Sequence, residues 1–356
     1  MQRVQDMEIK ELHLRSESWE DTKFLAESIL SNLTHLKDFT LRFVDTVRSS
    51  DDEPENPMLT LRSQSITRLV MLFHFGRNQL RLDMPNLTCL TMFSDTYIDY
   101  AADIIDSLAI HSPGLSQLAC CFDFFDEDEF PFDQLIRLAN LTSIKLVGSG
   151  TIQEPIETIF PPKLTELELE RVEFDVNGIP ALLSVLPNLH TLVLRKIPGL
   201  SSFEGSFSRS IRLLYLGDMR MGPLVLSSYF PSLCEVTLIN STSNSKHEQI
   251  NLSEISIEVI DMRALPDLRS FYAQGRAVPG KMIFGGNERL LEVDCFSRFS
   301  SPVFHFNAPH LDSIKIECGK PVIEELNCPM LSTFKVSCLA LHPKEVWTST
   351  PHFLSH

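Results

Sequence analysis

The string L-x-x-L-x-L, with Ile, Val, Phe, Met, Cys or Ala admitted at the apolar places, recurs along the whole chain. It starts at Ile9, Leu36, Ile66, Leu87, Leu115, Leu141, Leu164, Leu189, Ile211, Leu233, Leu268, Leu290, Leu311 and Leu331, fourteen times in 356 residues. Successive starts lie 20 to 30 residues apart, except for one interval of 35 between Leu233 and Leu268. A segment that short cannot bury its own apolar face, so the chain gains a core only if each copy stacks on the next. Within L-x-L the alternation puts the apolar side chains on one face of a short strand and the intervening residues on the other.

Proline stands two places before the first apolar residue in eight copies, at Pro85, Pro113, Pro162, Pro187, Pro231, Pro266, Pro309 and Pro329. With 21 prolines in the chain, fewer than one would fall at fourteen such positions by chance. Proline lacks an N–H and fixes φ, so it ends the preceding segment and opens a strand without losing a ladder hydrogen bond. The copy lengths are those of leucine-rich repeats. The expected fold is therefore an α/β leucine-rich-repeat solenoid, a curved ribbon of about fourteen short parallel strands.

One solenoid is expected over residues 1–356, with longer helix-containing repeats to residue 200 and shorter ones from 201. An insertion near 239–265 accounts for the long interval, although Leu252 to Ile257 gives a further match there. Helical returns are expected after Ser18, which has Asp21 three places on as in a capping box, and over residues 96–110 and 179–186. The later repeats carry more Gly and Ser, and their returns are expected to be irregular, extended or short turns of helix.

The formal charge of −16 opposes attraction to phosphate backbones or anionic lipid, so nucleic acid is not an expected partner. No apolar run reaches the ~18 residues of a membrane helix, so no membrane is expected either. The opening MQRVQDMEIK has no apolar stretch of the secretory kind, which points to the cytoplasm or nucleus. The eight cysteines include no C-x-x-C pair and are expected to be reduced packing residues rather than metal ligands. Five N-x-S/T sequons begin at Asn32, Asn86, Asn140, Asn240 and Asn251; three read N-L-T within the repeat and are taken as by-products of it.

No G-x-S-x-G, H-E-x-x-H, phosphate-loop or dinucleotide fingerprint is present, so neither an enzyme nor a cofactor is expected. The acidic run from Asp123 to Asp133 has no glycine for a calcium-loop turn and reads as a solvated loop or a docking element for a basic partner. Function in a solenoid lies on the outward positions of its strands. Glu166, Glu168, Glu170, Arg195, Tyr215, Tyr272, Asp294 and Phe296 occupy such positions and form the candidate protein-binding face. Three glutamates on one strand face repel each other, and a basic partner would relieve that repulsion.

With Pro187-Asn-Leu189-His-Thr-Leu192-Val-Leu194 and Pro309-His-Leu311-Asp-Ser-Ile314-Lys-Ile316 in view, the chain resembles the leucine-rich-repeat region of F-box proteins. The likeness covers almost the whole chain. It implies the substrate-recognition part of a ubiquitin-ligase receptor, with a Skp-type adaptor and cullin as partners through an F-box expected outside this sequence. The alternative is a repeat-type scaffold or sensor region of an intracellular receptor. Val44, Asp95, Asp123, Ser149, Val172, Ile197 and Met219 stand where many repeat families place asparagine or cysteine, which argues against the extracellular type with its asparagine ladder.

Overall fold

The computed structural model describes residues 11–16, 27, 30, 34–43, 59–73, 80–94, 101–124, 132–152, 158–174, 178–219, 221–240, 257–275, 278–297 and 302–338. Up to residue 199 the strands are β1 (Glu11–Ser16), β2 (Asp38–Phe43), β3 (Leu59–Arg62), β4 (Arg68–Phe73), β5 (Leu80–Asp83), β6 (Cys89–Ser94), β7 (Gln117–Phe124), β8 (Ser143–Ile152), β9 (Glu166–Phe174) and β10 (Thr191–Arg195). Beyond it come β11 (Leu213–Gly217), β12 (Leu224–Val225), β13 (Glu235–Asn240), β14 (Val259–Asp261), β15 (Ser270–Gly275), β16 (Lys281–Gly285), β17 (Glu292–Ser297), β18 (Val303–Asn307), β19 (Ser313–Cys318), β20 (Val322–Asn327) and β21 (Thr333–Cys338).

Fourteen of these strands form one parallel sheet, in the order β1-β2-β4-β6-β7-β8-β9-β10-β11-β13-β15-β17-β19-β21. Each begins two residues after the first apolar residue of one motif copy, so the fourteen copies and the fourteen strands correspond one to one. The fold is a leucine-rich-repeat solenoid. Two compact units divide it: Met1–Leu192 with Lys196–Gly199, and Val193–Arg195 with Leu200–His356.

In the copies that start from Leu36 to Leu311, the first, fourth and sixth motif residues are all at most 5% exposed. Burying each such side chain contributes about 1.5 to 3 kcal/mol, which is why the motif tolerates any apolar residue there. Cys120 and Cys295 fill the sixth place in their copies and are buried without a disulfide, as packing residues.

A second periodic device links the repeats of the first unit. The residue after the first motif leucine offers its carbonyl to two backbone N–H groups of the next repeat, as Ser116 O does to the amides of Thr142 and Ser143 at 2.8 and 3.0 Å. Its hydroxyl donates back to the same carbonyl of the previous repeat: Thr88 to Thr67, Ser116 to Thr88, Thr142 to Ser116 and Thr165 to Thr142, at 3.0 to 3.2 Å. Asparagines one place before the leucine act in parallel, with Asn86, Asn140 and Asn188 donating to the carbonyls of Gln64, Pro113 and Pro162. The N-L-T triplets at Asn86 and Asn140 are thus ladder positions of the repeat. Thr142→Val is expected to cost about 0.5 to 1.5 kcal/mol, read from the urea midpoint; an unchanged midpoint would mean that water serves the carbonyl equally well.

The returns of the first unit contain helices where the spacing predicts them. α1 (Ala101–His111) buries Ile104, Ile105 and Leu108, and α2 (Gly178–Val185) buries Ile179, Leu182 and Leu183. The first turn of α2 crosses β9 so closely that a Cβ on Gly178 would stand 2.3 Å from Phe174 Cβ. A 3-10 helix, Phe132–Arg137, is tied to α1 by an ion pair between Arg137 and Asp106. Most of the return predicted after Ser18 and most of the Asp123 to Asp133 run lie outside the described residues.

Returns of the second unit are mostly extended, with one short turn of helix at Leu226–Tyr229 as expected, but the extended ones are more regular than expected. Five of them pair as a second parallel sheet, β12-β14-β16-β18-β20. Met282, Phe284, Phe304 and Phe306 point inward and alternate with half-exposed Lys281, Ile283, Val303 and His305. Two parallel sheets therefore close the core of this unit, with phenylalanine as the filler.

Candidate functional site

Outward residues of the strand sheet line up in rows because parallel pairing holds each motif position opposite its equivalent in the next copy. In the first unit β8 and β9 pair Ser143 with Glu166, Lys145 with Glu168 and Val147 with Glu170. Lys145 Nζ donates to Glu168 Oε1 at 2.9 Å. Lys196 lies just past β10 in left-handed backbone at φ 48° and brings its Nζ to 3.9 Å from Glu170 Oε1. The glutamate triplet is thus partly neutralised within the chain, and the repulsion expected from its spacing is smaller than three bare charges would give. Glu166 remains exposed at the start of β9.

The second unit carries the other five candidates. In register on successive strands stand Tyr215, Thr237, Tyr272, Asp294, Lys315 and Lys335. The guanidinium carbon of Arg195 lies 4.5 Å from the Tyr215 ring centroid, a cation–π arrangement. Gly217 makes room for it, since a Cβ there would meet Arg195 Cγ at 2.9 Å and Tyr215 Cε1 at 3.0 Å. Tyr272 donates its hydroxyl to Gln274 Oε1 at 2.5 Å. Burial, and then the charge of Asp294, holds its phenol above the ordinary range. Lys315 Nζ donates to Glu292 Oε1 at 3.1 Å, and this bond first, then the charges of Glu292 and Asp294, keeps its ammonium above its ordinary value. Phe296 is half-buried and in register with Gln274 and Glu317.

The eight candidate residues therefore form two groups, the glutamates in one unit and the aromatic cluster in the other. Lys145, Lys196, Gly217 and Thr237 belong to these groups without having been singled out by the motif. Lys145 and Thr237 occupy outward motif positions and are legible in that way. Gly217 is explained only by the ring and guanidinium beside it, and Lys196 only by the left-handed turn that swings it back.

Elsewhere, the Cys295 and Cys318 sulfurs approach to 3.7 Å in the core. Among the described residues no three His, Cys, Asp or Glu side chains are grouped to hold a metal ion, and no helix is long and apolar enough to cross a membrane.

No protein-family model matches the chain, and no curated protein does. Among solved structures, a leucine-rich-repeat protein of Leptospira interrogans is 13% identical, covering 90% of this chain and 87% of that one with a TM-score of 0.41. An internalin from Listeria monocytogenes is 15% identical, covering 70% of each chain with a TM-score of 0.35.

Proposed function

We propose that the chain is a noncatalytic protein-recognition solenoid, serving as the substrate-recognition part of an F-box-type ubiquitin-ligase receptor in the cytoplasm or nucleus. The observation that carries protein recognition is the row Tyr215, Thr237, Tyr272, Asp294 and Lys315: half-buried aromatic rings in line with charges of both signs on the outward sheet face. Tyrosine there supplies contact area together with a hydrogen bond, the composition favoured where proteins meet. The F-box assignment comes from the resemblance of the repeat strings and makes a Skp-type adaptor and a cullin the accompanying partners.

An affinity pull-down from eukaryotic extract with the natural full-length product, scored by mass spectrometry, tests both levels. A substrate protein together with adaptor and cullin is the expected result. A reproducible partner without adaptor or cullin would overturn the receptor reading and leave a scaffold or sensor.

The glutamate group is proposed as a second anchor for basic side chains. Changing Glu166, Glu168 and Glu170 together to glutamine is expected to weaken the captured partner severalfold at low salt and to flatten the salt dependence of binding. Affinity and salt dependence both unchanged would remove the glutamates from the interface.

A further inference from the structure

Tyr215 and Tyr272 flank a single strand, β13, whose outward residue between them is Thr237. Parallel strands lie about 4.8 Å apart, so the two ring stems stand roughly 10 Å apart across a short side chain. A cation centred in such a gap sits about 5 Å from both rings, inside the ~6 Å reach of a cation–π interaction. Glu235 lies two residues before Thr237 and is exposed, while Ile239 lies two residues after it and is half-buried. The notch therefore has aromatic walls, a carboxylate at one end and an apolar side chain at the other.

Lysine and arginine have the matching form, an apolar stem with a charged head. The molecule already uses this chemistry at the same place, because the Arg195 guanidinium rests 4.5 Å from the Tyr215 ring. The bond from Tyr272 to Gln274 fixes the second wall. Behind that wall Asp294 adds negative potential, while the neighbouring Lys315 is held by Glu292.

We propose that the notch between Tyr215 and Tyr272, floored by Thr237, receives a lysine or arginine side chain projecting from the partner protein. Glu235 serves as its counter-charge and Ile239 lies against its stem. The proposal rests on the reading of this face as a protein-binding surface and specifies what the partner must present at that point.

The test uses the full chain with 13C-labelled tyrosine rings, whose five residues give few signals. Two capped tripeptides, Gly-Arg-Gly and Gly-Gln-Gly, are the probes. The arginine peptide is expected to shift the ring signals of Tyr215 and Tyr272, assigned with Tyr215→Phe and Tyr272→Phe, and the glutamine peptide to leave them in place. Tyr272→Leu should weaken the arginine peptide about fivefold or more. Glu235→Gln, which leaves the core untouched, should weaken it about twofold or more and remove most of its salt dependence. Glu204→Gln, an exposed residue outside both groups, should change nothing. Equal shifts with both peptides, shifts confined to other tyrosines, or undiminished affinity in both Tyr272→Leu and Glu235→Gln would overturn the proposal. A protein partner captured equally well by Tyr272→Leu would remove the notch from that interface while protein recognition stands. Tripeptide binding without any captured protein would instead count against the protein-binding reading.

Discussion

Phe284→Ala is expected to remove about 3 to 5 kcal/mol of unfolding free energy. The ring is 1% exposed and joins the two sheets of the second unit. It meets Phe271 of the strand sheet edge-on, with centroids 5.3 Å apart and planes at 81°. On its own sheet it stacks on Phe306 at 5.1 Å and 13°, and Phe306 stacks in turn on Phe304 at 5.5 Å. Alanine would leave a cavity between Phe271 and Phe306, on strands pinned by their own ladders, so little collapse can fill it. Phe284→Leu retains most of the volume and should lose less than half as much. Urea unfolding followed by circular dichroism measures both variants; a loss below about 1 kcal/mol for alanine would mean that the sheets close over the gap. Solenoid repeats depend mainly on their neighbours, so hydrogen exchange should quicken first in β14 to β18 while β2 to β9 keep their protection.

The main sheet was legible because burial imposes one rule on every copy. Leu167 and Leu169 of β9 are apolar for the same reason as Ile314 and Ile316 of β19, so the phase of the motif gives the first residue of each strand. The helical returns α1 and α2 were legible through spacing such as Ile105 and Leu108, beside which the structure also buries Ile104. The second sheet was not, although Val303-Phe-His-Phe306 alternates in the manner of a strand. An isolated run of four or five extended residues has no ladder of its own, and its partners lie 19 or more residues away in other returns. The asparagines show the same limit. Asn86 and Asn140 looked incidental because their acceptors, the carbonyls of Gln64 and Pro113, belong to preceding repeats.

Charge was harder to read than burial. The spacing of Glu166, Glu168 and Glu170 places them on one face, as the structure has them, yet their energetics depend on cations from elsewhere in the unit. A half-buried surface pair such as Lys145 and Glu168 contributes on the order of 1 kcal/mol to stability. Its larger consequence is for recognition, because a partner's lysine must displace or share an ammonium already in place. Between the walls of the aromatic notch the residue in register on β13 is the short Thr237.

Asn287→Ala is expected to cost about 3 to 5 kcal/mol, as much as the loss of a large core ring, although the residue itself is polar. Its side chain is wholly buried. Oδ1 accepts the Gly285 amide at 2.7 Å, and Nδ2 donates to the carbonyls of Met262 and Leu265 at 2.8 and 3.1 Å. It thereby joins the turn after β16, where Gly286 is left-handed at φ 67°, to the turn after β14, where Ala264 is left-handed at φ 58°. Alanine would orphan the Gly285 N–H and the Met262 carbonyl in a dry interior and leave the Leu265 carbonyl with the Leu268 amide alone, and each buried orphan costs about 1 to 3 kcal/mol. Asn287→Asp separates lost bonding from lost volume. Its carboxylate would face two carbonyl oxygens, so burial and repulsion would raise its folded-state pKa above the unfolded value near 3.9. Stability relative to the unfolded chain would then be retained below about pH 4, where the acid can donate one hydrogen bond, and lost as pH rises through the raised folded value. Urea midpoints from pH 4 to pH 7 should fall steeply for Asn287→Asp relative to the parent and run parallel to it for Asn287→Ala. Parallel curves for all three proteins would show that water enters the turn and replaces the amide, and the buried hydrogen-bond network would then not be what joins the two turns.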